Sequence, residues 1–138
     1  LLSVWFSINE KIKRAMDQVI QEWNVQPRDM YMPIENLSGG NQQKFVIGKE
    51  LYHQPDVILA AHPTRGVDIG AQEIIYHKFF DELERGVSIL LITADFDELI
   101  KISDRMAIIY KGRLYGPYKN GQLSSSEISL IMNGAGEI

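Results

Sequence analysis

The chain has 138 residues, a formal net charge of −4 from 14 basic and 18 acidic side chains, and no cysteine. Its length suits one domain or part of a larger one, and 45% hydrophobic against 23% charged residues is a balance that can bury a core. The charge disfavours non-specific nucleic-acid binding, which needs a basic surface, and the missing cysteines exclude disulfides and thiolate zinc sites.

No apolar run reaches the ~18–20 residues of a membrane span. The opening LLSVWFSINEK has no basic residue ahead of its apolar run and no cleavage site, so it does not read as a signal peptide. It lacks an initiator Met, and the chain is expected to be a piece cut from a longer protein.

The elements follow in chain order. Ile8, Ile12, Ala15, Met16, Val19, Ile20 and Trp23 step by three and four, which predicts one amphipathic helix. Residues 24–37 break the pattern and carry Pro27 and Pro33, a loop. Ser38 is the expected N-cap of a helix running to about Leu51. DVILAA at 56–61 reads as a short buried strand, PTRGVDIG as a turn, and 71–85 as a helix stopped by Gly86. VSILLIT at 87–93 is a second buried strand, and 97–102 suits a short helix. MAIIY at 106–110 is a third strand, turning at Lys111-Gly112 into 113–115 as a hairpin, and 125–132 is a last helix. Strands that are continuously apolar and alternate with helices predict an α/β layer with a mostly parallel sheet. The two helices before any strand are expected to form a helical lobe.

The stretch LSGGNQQK at 37–44 opens a helix with a glycine pair. A helix start exposes free N–H groups and the positive end of the macrodipole. Glycine lets an anion touch the backbone there, and the Ser38 hydroxyl adds a donor, so Ser38, Gly39 and Gly40 form a candidate phosphate corner. The plain alternative is a capped helix with permissive glycines.

These residues resemble the signature motif of ABC-type ATPases, usually written LSGGQ. The strand at 56–61 with Pro63-Thr64-Arg65-Gly66-Val67-Asp68 is similar to the family's Walker B strand and D-loop. Residues 87–99 resemble the switch strand and turn, and YKGRL at 110–114 the hairpin after the last core strand. The resemblance runs from about residue 30 to 133. The NQQK and PTRG forms point to importers of simple sugars and nucleosides, whose ATP-binding subunit carries two fused cassettes, and SSSEISLIMNG is similar to the tail of the second. The resemblance implies the C-terminal part of a P-loop NTPase domain, divided into a helical lobe with the signature at 1–53 and the C-terminal part of the ATPase core at 54–138.

It also exposes departures. The position of the Walker B aspartate is Ala61, that of the water-polarising glutamate is His62, and that of the switch histidine is Ala94. No G-x-x-x-x-G-K-[ST] occurs, so there is no cradle for β- and γ-phosphates. In the family, two cassettes pack head to tail, and the signature of one covers nucleotide held by the other. The resemblance therefore implies that Ser38, Gly39 and Gly40 complete an ATP site in trans, with Asp68 near the junction. The site built on Ala61 and His62 would turn over little or nothing. ATP and Mg2+ belong to the full assembly and are not expected on the isolated chain. The implied partners are a second cassette, membrane permease subunits and, indirectly, a solute-binding protein, at the cytoplasmic face of the membrane. Two other readings stay open: a non-catalytic binding module of ABC-like shape, and a non-transport ABC ATPase.

Asn41, Gln42 and Gln43 either touch phosphate or ribose or form a solvated first turn. Arg65 either pairs across a dimer or lies on the surface. Asp95, Asp97 and Glu98 are either a metal site or a helix start favoured by the dipole. Trp5, Phe6 and Trp23 either mark a permease-facing surface or pack in a core. With the P-loop strand missing, the strands at 57–61 and 88–93 are expected to pair, the strand at 106–110 to lose its neighbour, and the chain to self-associate.

Overall fold

A computed structural model of the chain describes residues 2–134, with side chains from residue 10 onward. The elements are α1 (Leu2–Glu22), a single 3-10 turn (Ile34–Asn36), α2 (Gly39–Leu51), β1 (Val57–Ala61), α3 (Ile69–Glu84), β2 (Ser88–Ile92), α4 (Phe96–Ile102), β3 (Arg105–Tyr110), β4 (Arg113–Lys119) and α5 (Ser125–Met132). They divide into two compact units, Leu1–Ile92 and Thr93–Ile138.

In the first unit, among the described side chains, Val19 and Ile20 of α1 and Trp23 just after it are buried, while Ile12 is 53% exposed. Among the described side chains, the apolar stripe is thus buried over its last turn and exposed at Ile12. The end of α1 is sharp. Asn24 takes a left-handed φ of 47°, its N–H donates to the Gln21 carbonyl, and Val25 N–H donates to Ile20. These bonds satisfy carbonyls that the helix end leaves open. Gly86 (φ 87°) ends α3 by the same pair of bonds, to Leu83 from its own N–H and to Glu82 from Val87.

Trp23 is 4% exposed and lies flat against Gly48 of α2, where a Cβ would stand 2.6 Å from the indole ring. Of the two readings of Trp23 the structure selects the core. Trp5 and Phe6 lie outside the residues whose side chains are described.

Strands β1 and β2 pair in parallel, Val57 opposite Ser88, Leu59 opposite Leu90, and Ala61 opposite Ile92. His62 N–H extends the ladder to the Ile92 carbonyl at 2.8 Å. Both strands read from sequence as buried on two faces. One face does carry the buried Ile58 and Ala60, together with Ala71, Ile75 and Phe79 of α3 in the core of this unit. The other is open, with Val57 and Leu59 at 67% exposure, Leu90 at 59% and Ile92 at 47%. Continuous apolar sequence prepares a strand for cover on both sides, and among the described residues cover exists on one.

In the second unit, β3 and β4 form an antiparallel hairpin, and β3 has no other strand partner among the described residues. The hairpin reaches Lys119, four residues beyond the expected end. Met106 and Ile108 pack with Ile128 and Ile131 of α5, flanked by Phe96, Leu99, Tyr115, Tyr118 and Leu123. That gives Tyr115 and Tyr118 packing roles.

Candidate functional site

The start of α2 is built as its sequence predicts. Ser38 is the N-cap in an extended conformation, and its Oγ accepts from the Asn41 backbone N–H at 3.4 Å and from the Asn41 side-chain amide at 3.0 Å. The N–H groups of Gly39 and Gly40 lie in the first turn, where no intrahelical carbonyl is available to them. Ser38 and Gly39 are exposed and Gly40 is buried.

The two glycines differ in what surrounds them. A Cβ on Gly40 would sit 2.9 Å from the Ala71 Cβ and 3.0 Å from Asp68 Oδ2, so here it is the chain's own α3 that comes close to the backbone. A Cβ on Gly39 would meet only the Gly66 carbonyl at 3.7 Å, an ordinary contact. Gly40 is required by packing; Gly39 leaves an open approach to the helix start.

The polar residues that follow are occupied within the chain. Asn41 Oδ1 accepts from Gln26 N–H at 2.9 Å, Gln42 Nε2 donates to the Leu37 carbonyl at 2.9 Å, and Gln43 Nε2 donates to the Pro63 carbonyl at 2.8 Å. Lys44 is buried, and its ammonium donates to the Asn24 carbonyl at 2.6 Å, adding a cation to the C-terminal end of α1. Burial holds the Lys44 pKa below the ordinary lysine value, partly opposed by the negative charge of Asp68. Nothing in the sequence marked Lys44 as buried; a lysine in the first turns of a helix reads as a solvated one.

Asp68 is the N-cap of α3, accepting from Ala71 N–H at 2.9 Å, so α3 begins at Ile69, two residues earlier than its apolar spacing suggested. Through Gly40 and Gln43 the start of α2 therefore touches both ends of the 63–68 loop. Ala61 and His62 close β1 at the head of that loop. His62 is exposed, with a left-handed φ of 50°, a conformation uncommon outside glycine that histidine tolerates better than most residues. Neither residue brings a carboxylate, the oxygen ligand a magnesium ion prefers. Arg65 is exposed.

Ala94 belongs to the second unit and is exposed. Beside it Asp95 caps α4, accepting from Asp97 N–H at 3.0 Å and Glu98 N–H at 3.1 Å. The acidic cluster is thus a helix start, and among the described residues no group of three His, Cys, Asp or Glu has the geometry of a metal site.

The helical part of the first unit carries one more feature that sequence reasoning missed. Met16, Ile20, Val25, Met30, Met32 and Phe45 line an apolar cleft between α1, the 27–37 loop and α2. Its signal was the run of apolar residues, Met30, Met32, Ile34 and Leu37, within a segment read as a loop.

No protein-family model matches the chain. It is 37% identical over 126 residues to the guanosine import ATP-binding protein NupO of Bacillus subtilis, covering 91% of this chain and 24% of that protein. It is 39% identical over 114 residues to the xylose import ATP-binding protein XylG of Brucella abortus, covering 83% of this chain and 22% of that protein. Among solved structures it matches an ATP-binding cassette dimer in a post-hydrolysis state with ADP and Pi, at a TM-score of 0.70 and 23% identity. That match covers 80% of this chain and 47% of the cassette. The chain belongs to the ABC ATPase family. Its fold is that of the C-terminal part of such a cassette, and an inward-facing metal-chelate type ABC transporter shares it at a TM-score of 0.74 with 17% identity. The chain spans about a quarter of the length of the curated relatives it matches.

Proposed function

We propose that this ABC ATPase chain is part of the nucleotide-binding subunit of an importer for simple sugars or nucleosides. In this reading it lends the start of α2 to an ATP site held by another cassette. The observation that carries the reading is the contrast at the glycine pair: Gly39 is open and exposed beside the Ser38 hydroxyl, while Gly40 is packed. A terminal phosphate approaching Ser38 and Gly39 meets a hydroxyl, free N–H groups and the positive end of α2. ATP supplies the anion at that corner and the free energy of the transport cycle. The chain's own residues orient it and exclude water from one side.

The side chains of Asn41, Gln42 and Gln43 hold the corner in shape instead of reaching out, each being spent on a bond within the chain. At β1 the donor set does not fit magnesium, because Ala61 has no oxygen to offer and His62 brings nitrogen. We therefore assign metal and water activation to the partner cassette, and little or no turnover to the site at Ala61 and His62.

The partners in this reading are a second cassette and permease subunits, with a solute-binding protein acting through the permease. The methionine-lined cleft supports permease contact, since flexible thioethers accommodate an inserted apolar side chain. No described helix is long and apolar enough to cross a membrane, and attachment at the cytoplasmic face through the permease is proposed. The names of relatives span guanosine, xylose and ribose/galactose import and do not choose among them.

The test is Ser38→Arg in the full-length parent. ATP turnover should fall at least tenfold, while ATP binding to the other cassette is retained. Turnover at the wild-type rate would mean that the corner completes no active site.

A further inference from the structure

A serine hydroxyl has one proton to give and two lone pairs that accept. At Ser38 one residue supplies donors for both lone pairs: the Asn41 backbone N–H at 3.4 Å and the Asn41 Nδ2 amide at 3.0 Å. The Asn41 amide is itself held. Its Oδ1 accepts from the backbone N–H of Gln26 at 2.9 Å, a group that only donates. Turning the amide over would set Nδ2 against that N–H, donor against donor. The NH2 end is therefore fixed toward Ser38 Oγ by the turn that follows α1. A second bond ties the same turn to α2, from the Lys44 ammonium to the Asn24 carbonyl at 2.6 Å. Among the described residues none accepts the Ser38 hydroxyl proton.

We propose that Asn41 is a positioning residue for the phosphate corner: held by Gln26, it fills the accepting side of the Ser38 hydroxyl and leaves the proton to point at the incoming anion. The inference rests on the reading that Ser38 and Gly39 complete an ATP site, and it adds what makes the hydroxyl a donor there. An ionised phosphate oxygen accepts and does not donate. A hydroxyl whose proton is spent inside the chain would offer that oxygen a lone pair, which repels it. In an ordinary serine N-cap the backbone N–H alone occupies the oxygen, and the hydroxyl stays free to rotate. Here the amide closes the remaining lone pair, so the donor is aimed before nucleotide arrives and costs no reorientation when the site closes. An aspartate at position 41 would do the reverse. It has the same shape and would keep the bond from Gln26, but its second oxygen would draw the Ser38 proton inward.

The experiment places Ser38→Ala, Asn41→Asp and the double variant in the full-length parent and measures ATP turnover beside urea unfolding. Asn41→Asp keeps an acceptor for Gln26 and a bond to Ser38 Oγ, so the unfolding midpoint should stay at the wild-type value. Turnover should nonetheless fall roughly tenfold or more, the loss of one aimed donor. With Ser38→Ala already present, Asn41→Asp should lower turnover by less than about twofold further, because no hydroxyl remains to be turned. An equal fall in both backgrounds would mean that the new charge acts on the anion directly; it overturns the proposal and leaves the signature reading intact. Wild-type turnover in Asn41→Asp does the same. Wild-type turnover in Ser38→Ala overturns the signature reading and this inference with it. Should Asn41→Asp fail to fold, Asn41→Ala takes its place. It leaves the hydroxyl undirected, and turnover should fall about threefold to tenfold, again only while Ser38 is present.

Discussion

The side-chain amide of Gln43 donates to the Pro63 carbonyl at 2.8 Å, joining the first turn of α2 to the loop that follows β1 across 20 residues of sequence. With Gly40 pressed against Asp68 and Ala71, this bond makes the corner at Ser38 and the 63–68 loop one packed assembly. Gln43→Leu should cost about 1 kcal/mol in urea unfolding, the usual net worth of such a bond. It should also raise hydrogen exchange at Arg65 and Val67, whose N–H groups close the loop on His62 and Thr64. Unchanged exchange at those two amides would show that the loop holds its shape without α2.

The two glycines give a paired experiment. Gly40→Ala forces a methyl to 2.9 Å from Ala71 Cβ and should destabilise the chain by about 1–3 kcal/mol. Gly39→Ala meets nothing closer than 3.7 Å and should leave stability equal or raise it by up to ~1 kcal/mol, since alanine suits a helix better. In the full-length parent, Gly39→Ala should nonetheless weaken nucleotide engagement. Equal thermal shifts for the two variants would contradict the contrast.

Gly48 faces Trp23 with no room for a side chain: a Cβ would lie 2.6 Å from the indole. Gly48→Ala should therefore separate α1 from α2 and lower stability by about 1–3 kcal/mol. Trp23→Ala should cost about 3–5 kcal/mol by leaving a cavity. Chemical denaturation of both variants checks the order; a neutral Gly48→Ala would mean that α1 tilts freely on α2.

The Ser124 hydroxyl and backbone N–H both donate to the Glu127 carboxylate, a capping box that holds its pKa below the ordinary 4.5. The unfolded chain binds that proton more tightly, so the stabilisation is complete above the ordinary value and is lost as pH falls through the lowered one. Acid titration of helicity should show Glu127→Gln flattening part of the loss. Identical acid profiles for the two proteins would remove the box from the account.

Much of the chain was legible because its signals are local. Ser38, Gly86 and the 125–132 helix are set by capping and turn preferences acting within a few residues, and they stand where sequence placed them. The α3 start was misread because Asp68 had been taken as loop, while its carboxylate reaches forward to Ala71 as a cap. The 3-10 turn at Ile34–Asn36 went unseen, being too short to show a period.

By itself the sequence determined the order of elements, the family resemblance, the glycine pair behind the Ser38 cap, and the lack of acids at Ala61 and His62. These follow from residue type and spacing. Tertiary structure alone decided that Gly40 serves packing, that Gln43 is spent on Pro63, that Lys44 is buried against Asn24, and that one face of β1 and β2 stands open. Each depends on which distant segment arrives at a given surface, and periodicity within a strand or helix records that a side is apolar, not what comes to cover it.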